Sequence, residues 1–192
     1  RIAALIENRK GFVVTSSYVG PDRRAPSRSQ EDELGLGNIT VPNNLRFKVT
    51  GDRDAMASSD AVAEARASID HHRLNRYAQR ISWLIQQIRE GKPDGRPVAL
   101  VTAERHEEIG RMIENIAYDL RMQGHPELLE ITDSMGRLLD MLQASPRPQF
   151  YDFLLLHAQA TISTLMAREG AKEMVSAALR ETSDYLDRIQ AA

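Results

Sequence analysis

The 192-residue chain has no cysteine, which excludes disulfides, thiolate zinc sites, iron–sulfur clusters and a cysteine nucleophile. Aromatic residues make up only 5%, too few for platforms on which nucleobases stack. Neither sign of charge dominates. The net charge is −2 and the pI about 6.2, so no general attraction to nucleic acid or anionic lipid is expected. No apolar run approaches the roughly 20 residues that a membrane helix needs, and the mean hydropathy of −0.42 agrees. Residues Arg1 to Lys10 lack the apolar core and small-residue cleavage site of a signal peptide. These absences predict a cytoplasmic protein with no cofactor, no membrane anchor and no nucleic-acid partner. At 42% hydrophobic, the chain can still bury a substantial core.

What is present falls into two textures. Residues 1–57 contain no long periodic run and are punctuated by Gly20-Pro21, Pro26, Gly35, Gly37, Pro42-Asn43 and Gly51. Strand-like pieces occur at Phe12–Thr15 and Ile39–Val41, and Glu31-Asp32-Glu33 before Gly35-Leu36-Gly37 reads as a surface linker. The expectation is a helix end followed by a mostly irregular, extended arm, with Leu45, Phe47 and Val49 available to dock it.

Residues 58–192 read as a helical bundle, so the fold class is all-α with a long first helix. Leu74, Tyr77, Ile81, Leu84 and Ile88 recur at spacings of three and four. Gly91-Lys92-Pro93-Asp94-Gly95 stops that helix. A second helix is predicted after Thr102 as N-cap, with Ile109, Met112, Ile113, Ile116 and Leu120 buried. Gly124 ends it, and Pro126 suits the first residue of a third helix, which stops at Ser145-Pro146-Arg147-Pro148. A fourth begins near Gln149. Gly170 either ends it or is tolerated inside one long helix at ~1 kcal/mol.

The narrow heptad stripe of the first helix suits a seam between two copies. Leu74, Tyr77, Ile81, Leu84 and Ile88, with Trp83 as an aromatic anchor, are therefore the candidate interaction residues of a homodimer. Packing of the same residues, including Trp83 and Tyr77, inside one bundle is the alternative. No catalytic residue is assigned.

The string Phe12-Val13-Val14-Thr15-Ser16-Ser17-Tyr18-Val19-Gly20-Pro21-Asp22-Arg23-Arg24 is the most distinctive in the chain. With Val41-Pro42-Asn43-Asn44-Leu45-Arg46, it resembles the tail that follows the receiver domain in some alphaproteobacterial response-regulator-like proteins. Tyr18, Gly20, Pro21, Asp22, Arg23 and Arg24 carry that resemblance, and residues 1–9 look like the end of the last receiver helix. It implies a non-catalytic interaction or oligomerisation module in bacterial two-component signalling. A receiver's acidic pocket and phosphoacceptor map onto no position of this sequence. A plainer reading of the motif stands beside this one, with Pro21 in a turn, Asp22 capping it and the two arginines solvated.

A signalling setting makes phosphotransfer or a cyclic-di-nucleotide response the alternative function. His71 and His72 follow Asp70, but Arg73-Leu74-Asn75-Arg76 lacks the Arg and Thr-Pro pattern of kinase phosphoacceptor helices. His157 lies in an apolar helix, yet Ala160 and Thr161 stand where phosphotransfer domains carry Lys and Gly. His106 with Glu107 and Glu108 lacks the second histidine of a zincin, because Gly110 occupies its place. His125 precedes Pro126 and suits a helix start. Arg23, Arg24 and Arg28 resemble half of a PilZ motif whose other half is missing.

Overall fold

The computed structural model describes residues 11–22, 39–91, 97–123 and 125–191. Arg23, Arg24, Arg28, the expected linker around Glu31 and the expected helix end at residues 1–9 lie outside them. Two compact units are present, Arg1–Arg73 and Leu74–Ala192, whereas the change in sequence texture falls at 57/58.

In the first unit, β1 (Phe12–Val14) pairs antiparallel with β2 (Val19–Pro21), with Val14 opposite Val19. Thr15 shapes the turn: its Oγ1 accepts from the Tyr18 amide at 2.9 Å, while its own amide donates to the Tyr18 carbonyl at 2.8 Å. Phe12 also exchanges two 2.8 Å backbone bonds with Ile39. The expected second strand is thus a single bridge residue, and the true partner strand runs through the Gly-Pro read as a turn.

Helix α1 (Leu45–Thr50) opens with Asn43 Oδ1 accepting from the Leu45 amide at 3.0 Å and closes on Gly51 at φ 72°. Asn44 Oδ1 accepts from the distant Ala57 amide at 2.7 Å, and Arg46 pairs with Asp52 at 3.1 Å. A 3₁₀ turn, Arg53–Ala55, leads to α2 (Ser59–Arg89), where Ser58 Oγ accepts from the Ala61 amide.

The second unit holds the end of α2 with α3 (Val98–Gln123), α4 (Pro126–Ala144), α5 (Pro148–Leu165) and α6 (Ala171–Gln190). Short connections make successive helices antiparallel neighbours, and α3–α4, α4–α5 and α5–α6 pack in that order. Pro126 and Pro148 sit in first turns, where their missing amides cost nothing. Gly170, at φ 75°, precedes α6 and separates it from α5. Helix α3 starts earlier than its cap signal suggested. Val101 is buried, which favours extending the helix past Thr102 back to Pro97.

The α2 stripe is also wider than a seam. Leu74, Ile81 and Leu84 are buried in the chain's own core together with Ala78 and Ile85, and Tyr77 and Ile88 pack against that core. Ala78 and Ile85, seven apart, add a third row beside the two heptad rows, giving the broad face of a core helix. The expectation that the stripe faces a partner is corrected for Leu74, Ile81 and Leu84, whereas Tyr77 and Ile88 are half-buried at the edge of the core. Trp83 is the exception.

Candidate functional site

Among the described residues, three places hold chemistry-bearing side chains. The first is the set of histidines. His157 on α5 is 0% exposed; Nδ1 lies 2.8 Å from the Phe153 carbonyl and Nε2 lies 2.9 Å from Ser134 Oγ on α4. A carbonyl only accepts, so Nδ1 carries the proton and Nε2 accepts from the Ser134 hydroxyl. Burial pushes the imidazole down to about 4; Arg137 adds to that, and the Phe153 carbonyl opposes it. Serine and base are arranged as in a nucleophile pair. However, Ser134 is 3% exposed, so no substrate reaches it. The bond ties α5 to α4.

His106 on α3 is buried too, with Nε2 2.9 Å from the Tyr151 hydroxyl on α5. Burial lowers the His106 pKa and raises that of Tyr151, so both are neutral near pH 7. His71 is exposed and His72 half-buried, their rings edge-to-face at 6.1 Å. Asp70 pairs with Arg73 at 3.0 Å. His125 caps nothing with its side chain; its amide donates to the Leu120 carbonyl. Among the described residues, no three acidic, histidine or cysteine side chains gather as a metal site.

The second place is in the first unit. An open groove of about 640 Å³ runs between Ile39, Thr40 and Pro42 and the α2 residues Ala61, Glu64, Ala65, Ser68 and His72. The hairpin nearby holds the described motif residues: Tyr18 lies over Gly20 and donates to the Pro21 carbonyl at 3.0 Å, and Asp22 is buried.

The third place is the outer face of α2. Trp83 is 45% exposed and lies nearly half a turn round the helix from Ile81 and Ile85. The Arg80 guanidinium sits 4.2 Å from its ring centroid and pairs with Glu108 of α3 at 2.9 Å. Arg105 donates to the Gln87 carbonyl at 3.0 Å. Arg89 pairs with Asp152 of α5 at 2.8 Å. These contacts fasten α2 to α3 and α5, and they hold Arg80 and Trp83 in place.

Of the predicted interaction residues, then, Trp83 is exposed, Tyr77 and Ile88 are half-buried, and Leu74, Ile81 and Leu84 are buried. Sequence reading missed Ser134, Tyr151 and Glu108 as partners. Tyr151 is 45 positions from His106, and no local pattern announces a bond across that distance. No family model, curated protein or solved structure matches this chain. Among the described residues, no helix is long and apolar enough to cross a membrane.

Proposed function

We propose that this chain is a non-catalytic helical interaction module of a bacterial signalling protein of the response-regulator kind. The observation that carries the reading is Trp83, a large aromatic side chain held half-exposed by a cation that is itself ion-paired. Rigid, amphipathic aromatic anchors of this sort dominate protein interfaces. The candidate phosphoacceptor in the apolar core, His157, is sealed and hydrogen-bonded at both nitrogens, which argues against a phosphoryl carrier. The receiver-tail resemblance supplies the setting: its residues Asn43, Asn44 and Tyr18 each fasten the first unit's backbone.

The test pairs chemistry with phenotype. Incubation with radiolabelled acetyl phosphate should leave no acid-labile label on the protein. In the chromosomal gene, Trp83→Ala should reproduce the deletion phenotype, while His71→Gln and His157→Gln, where folded, should not. A labelled histidine, or a silent Trp83→Ala, would overturn the reading.

A further inference from the structure

We infer that the groove of the first unit binds an extended peptide segment carrying a basic side chain, taken up beside Thr40 as an added strand. The inference goes beyond the interaction-module reading and stands apart from Trp83, because every residue lining the groove belongs to the first unit.

Its ground is a set of polar groups left unused around one groove. Ile39 spends its amide and carbonyl on Phe12, both at 2.8 Å. In an extended chain the next residue's pair points to the opposite edge, here away from the hairpin. Among the described residues, no partner meets the Thr40 amide or its carbonyl. Thr40 is exposed and lines the groove. A donor and an acceptor side by side on one residue are what another extended main chain pairs with. By the same alternation Pro42 faces that edge next, and without an amide it ends the edge after Thr40. Side-chain contacts must therefore supply the selectivity.

Helix α2 forms the opposite wall. Ala61 and Ala65, one turn apart, are short enough to leave space open against Ile39 and Pro42 for an apolar side chain. Glu64 beside them is exposed, and among the described residues its carboxylate has no cationic partner. Asp60, also exposed, precedes it by one turn, and no described lysine or arginine lines the groove. His72, further along the wall, is half-buried and already engaged. The charge of this wall selects a lysine or arginine over an acidic side chain.

Titration of the isotope-labelled full chain, followed by amide and methyl NMR, tests this. The probe is a capped hexapeptide of alternating valine and threonine with one central residue replaced by lysine. At about pH 8, where an ordinary histidine is uncharged, and up to about 1 mM peptide, the Thr40 amide and the Ala61 and Ala65 methyls should shift together. A glutamate in place of the lysine should weaken binding about fivefold or more, and Glu64→Gln should erase most of that preference. Methylation of the peptide amides one at a time should abolish binding at one position, where the donor is spent on Thr40. Thr40→Pro removes an amide that the free chain leaves unused. It should lose the peptide while the Asp22 amide keeps its exchange rate, which reports an intact hairpin. The methylated peptides test the same bonds on the parent, whatever that variant's folding. Absence of a shift at Thr40 overturns the inference, as does equal binding of the lysine and glutamate peptides. So does binding indifferent to every methylation. A Thr40 amide already protected from exchange without peptide also overturns it, since the chain itself or a second copy then fills the edge.

Discussion

Tyr18 lies across Gly20, so a Cβ at position 20 would stand 2.5 Å from the tyrosine hydroxyl oxygen. The same hydroxyl donates to the Pro21 carbonyl at 3.0 Å. Gly20→Ala must displace the ring and break that bond. The expected cost is about 1–2 kcal/mol, confined to the hairpin. Hydrogen exchange at the Thr15 and Asp22 amides, which donate to the Tyr18 and Gly11 carbonyls, should quicken, while the melting of the helical unit stays unchanged. Unaltered exchange at both amides would show that the ring moves without consequence.

His157 makes stability depend on pH. Its folded pKa is lowered from the ordinary 6.5 to about 4. Below pH 6.5 the unfolded chain therefore binds a proton that the folded chain refuses, and stability falls as the pH drops. The loss should begin near pH 6.5 and reach roughly 3 kcal/mol near pH 4. Urea titrations at pH 7 and pH 4.5 measure it. In His157→Gln the acid-dependent part of the loss should shrink, whatever the variant's stability at pH 7. A slope unchanged by that substitution would assign the acid sensitivity to other groups.

Ile81 separates core from seam. It is 0% exposed within the chain's own core, so Ile81→Ala should cost about 2–5 kcal/mol of folding stability. Denaturant midpoints should fall by the same amount at low and high protein concentration. A loss that disappears on raising the concentration would place Ile81 in an interface instead.

The Arg80–Glu108 pair is about one-third exposed on each side, so it contributes little to stability. Glu108→Gln should shift the melting temperature only slightly. Its clearer effect is optical: a released Arg80 leaves the Trp83 ring, and fluorescence from the chain's one tryptophan should change. An unchanged spectrum would mean that the guanidinium stays over the ring without its carboxylate.

Gly170 holds φ 75° directly before α6, a conformation in which a side chain is strained. Gly170→Ala should therefore cost about 1 kcal/mol rather than extend a helix. A gain in stability would contradict the observed break.

The helical class and most of the helix limits were legible in the residues themselves, because both depend on neighbours in sequence. Pro126 and Pro148 can begin a helix but not continue one, and apolar positions at spacings of three and four draw a buried face on any helix. Where a signal was local but doubtful, packing overrode it. Thr102 is a good cap, yet burying Val101 carries α3 beyond it, and Gly20-Pro21 reads as a turn although it pairs as strand β2.

Other features were decided by tertiary structure alone. Apolar burial is non-directional, so the stripe Leu74–Ile81–Leu84 is equally consistent with a seam or a core. Only the arrival of the other helices made it core and left Trp83 outside. Likewise, a histidine in the sequence is an open donor and acceptor. Ser134 and Tyr151, brought from distant turns of the chain, turned two histidines into internal fastenings, because a buried ring nitrogen must find a partner or lose the free energy of its hydration.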